Sequence, residues 1–317
     1  MKKINLKKVG KIVPIIGVIL FIYIIYNIGI EKIVHSFALI PIYYYPIAFL
    51  PFLLRVVITA YKWQYVSKKQ KMNFSLTYLI KIVFISIYYG NITPGGFGWY
   101  IRTFYLRKKS NASIEKCITN SLIEGATGNI VGLFLGIIGA YLLIAYSPVY
   151  TGLFYILVAF FIFQVVTLVV FIEKSGGSKI VNIFIRPIIP RKYKEKLDRS
   201  LNSFYEDIPK LRDMIVPMLT DLAVWIIVGV QVYIIALAFS INVSLPMFLL
   251  LHTISVIAAG IVPITVAGLG VREGMLVFLL IPFGVEAQTA FVISFSGFII
   301  KVLVPAIAGM VFSFKEK

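Results

Sequence analysis

The chain has 317 residues, 60% of them hydrophobic and only 14% charged, so it carries more apolar surface than one water-soluble core can bury. Its 31 basic and 13 acidic side chains give a net charge of +18, and their placement in a few loops argues against nucleic acid as a partner. The single cysteine, Cys117, excludes an intrachain disulfide and a cysteine-based metal cluster.

The sequence predicts an all-α integral membrane protein with one multi-pass domain over residues 1–317. Its apolar runs are continuous, whereas a transmembrane β-barrel would show short alternating segments. The basic start MKKINLKKVGK precedes a first helix that we expect to be retained, because no small-residue cleavage site comes before Asn27. In chain order, about six full spans are predicted at 12–30, 42–61, 118–146, 152–172, 215–239 and 288–312.

Two further apolar regions, 76–106 and 247–283, are interrupted in the middle. The first contains NITPGGFGWYIR (91–102) and the second PITVAGLGVREG (263–274). Proline lacks a backbone donor, and glycine adopts conformations that other residues avoid. Each region is therefore predicted to be two helical arms joined by a non-helical elbow, a term we keep for residues 91–102 and 263–274.

Charge in the loops predicts the topology. Basic residues number 5 in 1–11, 4 in 62–71, 5 in 102–116, 10 in 173–213 and 2 in 315–317. The alternate loops, near 31–41, 147–151, 240–246 and 284–288, contain one basic residue, Lys32. By the positive-inside rule, both termini face the cytoplasm of a cell membrane. The first broken region then enters and returns from the cytoplasm and the second from the outside, as two re-entrant hairpins.

The two elbows share sequence. At an offset of 172 residues, identical residues coincide at Ile92/Ile264, Thr93/Thr265, Gly96/Gly268 and Gly98/Gly270, and Gly125 meets Gly297. Hairpins of opposite orientation with related elbows predict an inverted repeat, with halves of about 1–172 and 215–317 joined by the cytoplasmic loop 173–213. The alternative is that the glycine breaks arose separately for packing. Within the loop, a short amphipathic helix around 191–207 is expected on anionic headgroups, and a solvated linker is the alternative.

Ionisable side chains inside the spans are candidates for function, because each needs a partner, a water-filled cavity or a place near the interface. They are Arg55, Lys81, Arg102, Glu124, Asp221, His252, Arg272, Glu273 and Lys301. Lys81 lies near a span end where it can snorkel, and a packed, hydrogen-bonded His252 is the simpler interpretation of that residue.

Arg102 and Arg272 follow the two elbows, where a helix start attracts anions and a guanidinium fork suits phosphate oxygens. Two such starts facing one another would make a phosphate-sized site. Alternatively, each arginine pairs with an internal acid such as Glu124 or Asp221 only to neutralise charge. Glu124, Asp221 and Glu273 are expected to balance the arginines, hold a headgroup amine or take up a proton. For Asp221, stabilisation by the start of its own helix is the simpler alternative.

Enzyme motifs are not found. The sequence has no GxxxxGK[ST] phosphate loop, no HExxH pair and no GxSxG elbow, and its only histidine besides His252 is His35. Catalytic residues, metals and cofactors are therefore not expected.

The runs VPITVAGLGVREGMLVFLLIPFGVEAQTA (262–290) and TPGGFGWYIRTFYL (93–106) resemble the lysylphosphatidylglycerol synthetase transmembrane-region family, which includes flippase domains and stand-alone membrane proteins. The similarity extends over most of the chain, to Pro305 and Gly309. It implies movement of an aminoacylated or otherwise polar phospholipid between leaflets, or action on a polyprenyl-phosphate lipid. The matching positions that it supports as site residues are Gly95, Gly96, Gly98, Arg102, Gly268, Gly270, Arg272 and Glu273.

Three positions depart from the pattern of that family. Trp99 replaces an acidic residue, Gly125 replaces the arginine usual after Glu124, and no arginine lies beside Gly297. The chain also ends after its last predicted span, so we do not expect it to carry the soluble aminoacyl-transfer domain of bifunctional members or to synthesise a lysyl lipid alone.

Three functional hypotheses follow. The first is a lipid flippase or transporter for lipids with an anionic or phosphate-bearing headgroup. The second is a membrane enzyme, or enzyme subunit, that modifies a lipid headgroup or a lipid-linked sugar. The third is a scaffold for a soluble lipid-modifying partner that docks on residues 173–213.

Overall fold

The structure, a computed structural model, describes residues 18–261, 265 and 267–316, and helices joined by turns and loops make up these ranges. No strand occurs within these ranges, so the all-α prediction is confirmed. The α-helices are α1 (Val18–Ile28), α2 (Ile30–Ala38), α3 (Tyr44–Lys69), α4 (Leu76–Ile92), α5 (Arg102–Ser110), α6 (Ile114–Ile144), α7 (Tyr150–Ile172), α8 (Lys174–Ile180), α9 (Lys194–Tyr205), α10 (Ile215–Leu237), α11 (Leu245–Ile261), α12 (Val271–Leu280), α13 (Ala287–Phe298) and α14 (Val304–Lys315).

Five helical stretches of the described chain are long and apolar enough to cross a membrane. They are α3, α6, α7, Leu211–Leu237 and Ala287–Lys315. A sixth is counted if α1 and α2 form one span, but these two helices meet at an angle of 83°. The sequence did not predict this bend, which occurs at Gly29, a residue with φ +94°. Residues 12–17 of the predicted first span lie outside the described ranges.

The first elbow is a real break, although it is not the non-helical segment that the sequence predicts. Thr93 leaves the helix with extended dihedrals, and Pro94–Ile101 forms a 3₁₀-helix before α5 begins. The Thr93 hydroxyl accepts the backbone N–H of Gly98 at 2.6 Å. A Cβ at Gly98 would lie 2.0 Å from the Tyr89 carbonyl oxygen, so the turn needs glycine there.

The second elbow also separates two helices, because α11 ends at Ile261 and α12 begins at Val271. Residues 263, 264 and 266 of this elbow lie outside the described ranges. Gly268 and Gly270 have φ of +74° and +84°, which favours glycine at both positions. Gly96 shares the positive φ of its counterpart Gly268, at +70°. The inverted-repeat relation between the two halves stays a prediction.

Each broken region has its two ends side by side. The Tyr78 hydroxyl of α4 donates to the Tyr105 carbonyl of α5 at 2.9 Å, which places the start of the first region beside its end. In the second region, Pro246 of α11 and Phe283, just after α12, line one cavity of about 600 Å³. The two regions therefore fold back as hairpins.

Most basic segments meet at one end of the bundle, which we call the basic end. Asp207 lies between Lys71 at 2.6 Å and Lys116 at 2.9 Å, and Asp213 pairs with Lys69 at 2.8 Å. The two lysines, first Lys71 and then Lys116, lower the pKa of the Asp207 carboxyl below its ordinary value. These pairs hold the segment 173–213 against the ends of α3 and α6.

The amphipathic helix expected around 191–207 is present as α9. The Thr119 hydroxyl of α6 donates to the Phe204 carbonyl at 3.1 Å, and Ser200 donates to the Glu115 carboxylate at 2.9 Å. α9 therefore packs on α6 rather than forming a solvated linker. Its position relative to lipid headgroups, and the orientation of the basic end toward the cytoplasm, stay predictions.

The packing of α14 on α4 depends on glycine. A Cβ at Gly309 would lie 2.1 Å from the carbonyl oxygen of Phe84, so the two backbones are in direct contact. Small residues allow such close approach between helices in lipid, where dispersion rather than the hydrophobic effect drives association. This contact joins the hairpin arm α4 to the final helix.

We expect Gly309→Leu to lower the free energy of unfolding by about 1–3 kcal/mol, because the larger side chain must push two helix backbones apart. Thermal unfolding of the purified protein in detergent measures the change. Gly152→Leu is the matched control, since nothing lies within 4 Å of a Cβ at Gly152 on α7. An equal effect of the two substitutions would contradict this account of the α4–α14 contact.

Candidate functional site

A continuous set of ion pairs, which we call the ion-pair chain, consists of Arg102, Glu124, Lys62 and Asp221. Arg102, at the start of α5, pairs with Oε2 of Glu124 on α6. Lys62 of α3 lies 2.5 Å from Glu124 Oε1 and 2.5 Å from Oδ1 of Asp221 on α10. The ion-pair chain thus links four helices through two positive and two negative side chains.

Arg102 makes hydrogen bonds and a ring contact in addition to its ion pair with Glu124. Its Nε donates to the Ser121 hydroxyl at 3.0 Å, and a terminal nitrogen donates to the Ser121 carbonyl at 2.5 Å. Its guanidinium carbon lies 4.5 Å from the centre of the Trp63 ring, a cation–π contact. Arg102 is only 4% exposed and Lys62 3%. Such burial is tolerable in lipid because each charge has a partner of opposite sign.

Arg272 and Glu273 form a second charged group at the start of α12. Glu273 Oε2 accepts the backbone N–H of Gly270 at 2.7 Å, and Oε1 accepts the Arg272 side chain. One carboxylate therefore caps the helix and neutralises the arginine. The Arg272 guanidinium carbon also lies 4.8 Å from the centre of the Phe298 ring. Glu273 is fully buried.

Lys301 lies in a π-helical turn, Ile299–Leu303, between α13 and α14. Pro305, four residues later, has no N–H to donate to the Lys301 carbonyl, which favours an irregular turn here. Lys301 is 6% exposed, and its ammonium lies 3.3 Å from Nε2 of His252. π-turns inside helices occur often at functional sites.

Arg55, Arg272 and Lys301 are basic side chains that act on one another electrostatically, and we call them the cationic cluster. The charges that act on Lys301 are those of Arg272, Arg55 and Glu273. Arg55 lies with its guanidinium carbon 5.3 Å from the centre of the Phe52 ring. Among the described residues, neither Arg55 nor Lys301 forms an ion pair. Within the described part of the chain, Glu273 is thus the acid that acts on Lys301 beside these basic side chains.

The ion-pair chain and the cationic cluster lie along one face of α3. Arg55 and Lys62 are seven residues apart, which is close to two full helical turns, or about 10 Å along the axis. Lys62 is therefore the next basic side chain after Arg55 along this face of α3.

Ion pairs between described residues link the predicted site residues into two groups. Arg102 joins Glu124, as the neutralisation alternative predicts, and is linked to Asp221 through Lys62. Arg272 pairs with its neighbour Glu273 rather than with Glu124 or Asp221. No hydrogen bond or ion pair between described residues connects Arg102 to Arg272, and a pocket shared by both arginines stays a prediction.

The other predicted site residues are the glycines of the two elbows, and Lys81 lies at the basic end. Gly95, Gly96 and Gly98 lie in the 3₁₀ segment that leads into Arg102, and Gly268 and Gly270 precede Arg272. Lys81 is half exposed, with its ammonium 3.8 Å from Glu316 at the basic end, as expected for a lysine at a span end. Trp99, where the family pattern has an acid, covers Gly90: a Cβ there would lie 2.5 Å from the indole nitrogen.

Lys62 is the site residue that sequence reasoning missed. The sequence assigned it to the basic loop 62–71, whereas α3 continues to Lys69 and places Lys62 about two turns inside the helix. The available signal was the segment WQYVS (63–67), whose aromatic and apolar residues separate Lys62 from Lys68.

Two cavities of the described structure lie away from these charged groups. One, at the end opposite the basic end, has the hairpin ends Pro246 and Phe283 in its wall. The other, of about 440 Å³ at the basic end, is lined by Ser75, Thr77, Tyr78, Lys81, Lys108, Lys109 and Glu316. Neither lining includes a residue of the ion-pair chain or the cationic cluster. Within the described ranges, no three His, Cys, Asp or Glu side chains are placed to hold a metal ion.

Comparison with known proteins places the chain among membrane proteins. The family model described as "Lysylphosphatidylglycerol synthase TM region" matches residues 11–309. A UPF0104 membrane protein of Pyrococcus horikoshii is 25% identical over 96% of both chains. UPF0104 membrane proteins of Methanothermobacter thermautotrophicus and Methanocaldococcus jannaschii are 23% and 21% identical, over 86% and 98% of this chain and 85% and 96% of theirs. With its spans, this likeness makes the chain an integral multi-pass membrane protein.

We expect Glu124→Gln to lower the free energy of unfolding by about 3 kcal/mol, because it leaves Arg102 buried without an anionic partner. Denaturant unfolding in detergent measures the loss. The double variant Arg102→Gln with Glu124→Gln should recover much of it, since both charges are then gone. Asp213→Asn, which breaks a surface pair, should change little. If the double variant is as unstable as the single one, the buried charge is not the cause.

Proposed function

Because the chain belongs to the lysylphosphatidylglycerol synthase transmembrane-region family, we propose that it moves a phospholipid with an anionic or phosphate-bearing headgroup between the two leaflets of the cell membrane. Its relatives are described as UPF0104 membrane proteins, so the choice of a phosphate rests on the buried charges of this chain. The transported lipid is its partner, and no cofactor has a part in this proposal.

One observation carries the proposal: the cationic cluster has three positive side chains and a single carboxylate, Glu273. An uncompensated positive charge within a membrane domain is costly, and an anionic ligand removes that cost. The guanidinium forks of Arg55 and Arg272 suit two phosphate oxygens each, and Lys301 adds a point charge. A lipid phosphate is the anion that a membrane supplies in quantity.

The ion-pair chain is the next place where such a headgroup could bind. Lys62 lies two turns from Arg55 on α3, and Arg102 of α5 is linked to Lys62 through Glu124. Glu124 and Asp221 compensate these two basic side chains when no lipid is present. A phosphate that reaches Lys62 competes with these carboxylates for the same ammonium. The elbow glycines, Gly95 to Gly98 and Gly268 to Gly270, shape the turns from which Arg102 and Arg272 project.

We further propose that the basic end faces the cytoplasm, with both termini on that side. Anionic lipids of the inner leaflet would then attract the lysines and arginines that gather there. In this orientation the two hairpins dip in from opposite faces, as halves of an inverted repeat, with the cationic cluster near the midplane.

Substitutions in the cationic cluster should stop lipid movement. We expect Lys301→Gln and Arg55→Gln each to slow leaflet exchange of a labelled phosphatidylglycerol at least about tenfold in reconstituted vesicles, the rate equivalent of about 1.4 kcal/mol of lost phosphate binding in the transition state. Arg272→Ala should abolish the exchange. Lys68→Gln, at an exposed lysine of the basic end, is the matched control and should exchange lipid normally.

A labelled glycolipid without phosphate tests the choice of headgroup in the same vesicles. It should not be moved, because it brings no anion to the cluster. The proposal is wrong if the protein exchanges no lipid of any headgroup. The phosphate site is wrong if exchange is equal for both lipids, or unchanged by all three substitutions.

A further inference from the structure

Asp221 has a carboxylate oxygen without a partner in the middle of the ion-pair chain. The side chain is 4% exposed, and its Oδ1 is paired with Lys62. Oδ2 is buried and, among the described residues, accepts no hydrogen bond. A buried carboxylate oxygen that accepts no hydrogen bond is costly, and binding a proton lowers that cost because it removes the buried charge.

Glu124 is the contrasting carboxylate. Its Oε2 pairs with Arg102 and its Oε1 with Lys62, so both of its oxygens are compensated. Two carboxylates therefore share the Lys62 ammonium, and only one of them has a cation of its own. Two like charges at one site disfavour each other, so a proton is most easily accepted by the less compensated member, Asp221.

The surroundings of Asp221 bring no other charge that would replace the proton. Lys62 from α3 and Glu124 from α6 are the charged side chains that act on it, and Arg102 of α5 joins through Glu124. On the α6 side, a Cβ at Gly128 would lie 3.5 Å from Asp221 Oδ1. Trp225, one turn further along α10, donates to the Gly128 carbonyl at 3.0 Å and closes this side.

We propose that Asp221 is a proton-binding site that couples movement of the lipid to a proton gradient, an inference that rests on the proposed function. The proton adds to Oδ2 and makes the carboxyl neutral. Lys62 then keeps Glu124 as its one anionic partner. The formal charge of the ion-pair chain changes from zero to +1, and no other bond is made or broken.

The added charge appears where a phosphate is needed. Lys62 is two turns from Arg55 on the same face of α3, so protonation extends the positive face toward the basic end. A protonated Asp221 favours the anionic headgroup, and by reciprocity a bound headgroup favours the proton. Loss of the proton restores the competing carboxylate and favours release of the lipid.

A direct test uses Trp63 as a reporter. The chain has three tryptophans, Trp63, Trp99 and Trp225, so a variant with Trp99→Phe and Trp225→Phe retains only the indole that follows Lys62 and stacks on Arg102. In detergent, without any lipid transport, lowering the pH should produce a step in its fluorescence. Adding Asp221→Asn should remove that step, and Asp213→Asn, a surface carboxylate paired with a lysine, should retain it.

Transport under a pH gradient tests the coupling. A gradient of one pH unit across reconstituted vesicles should change the leaflet distribution of a labelled phosphatidylglycerol by up to about tenfold for one proton per lipid. Asp221→Asn should lose this gradient-driven accumulation. Circular dichroism and thermal unfolding establish that the variant is folded, and Asp221→Glu, which keeps a carboxylate, should restore the dependence in part.

The outcomes separate the two proposals. If no lipid moves but the Trp63 step depends on Asp221, the flippase proposal fails and the proton site stands. If lipid moves without any effect of the gradient, the coupling is overturned. If the fluorescence step is absent, or persists unchanged in Asp221→Asn, Asp221 is not the proton site.

Discussion

Compensation of charge away from water is the constraint on which this structure depends. Lys62 is the clearest case, because its single ammonium pairs with carboxylates from two helices and, through Glu124, with an arginine from a third. In lipid, apolar contacts alone give little preference for one helix arrangement over another, whereas an unpaired charge excludes many arrangements. The ion-pair chain therefore specifies how α3, α5, α6 and α10 meet, while close glycine contacts such as Gly309 on Phe84 fix the spacing of their neighbours.

The ion-pair chain and the cationic cluster differ in how far carboxylates compensate their positive charges. The ion-pair chain is balanced, and so it needs no outside partner to exist in the membrane. The cationic cluster is unbalanced, because its one carboxylate is already used to cap α12 and to pair with Arg272. Both groups lie at the same face of α3, so a single helix connects an unbalanced group of charges to a balanced one.

Much of the fold was predictable because its causes are local. Long apolar runs predict the spans, and proline with paired glycines predicts the breaks at 91–102 and 263–274. The bend at Gly29, the 3₁₀ character of Pro94–Ile101 and the π-turn at Ile299–Leu303 were not predictable, since glycine and proline indicate where a helix can be interrupted but not which geometry the interruption adopts. The candidate site was predictable as a set of residue types but not as a set of pairs. Which acid meets which arginine is decided by helix packing, and the end of α3, eight residues beyond the predicted span, placed Lys62 inside the protein.

The π-turn around Lys301 also sets the phase of the last helix. A π-turn contains about one residue more than an α-turn, so everything after it is rotated by about 100° relative to an uninterrupted helix. Before the turn, Gly297 faces Val232 of α10; after it, Gly309 faces Phe84 of α4. The π-turn thus lets the helical stretch Ala287–Lys315 place glycines against two different neighbouring helices, α10 and α4. Because Lys301 lies in this turn, its position and the packing of α14 on α4 cannot change independently.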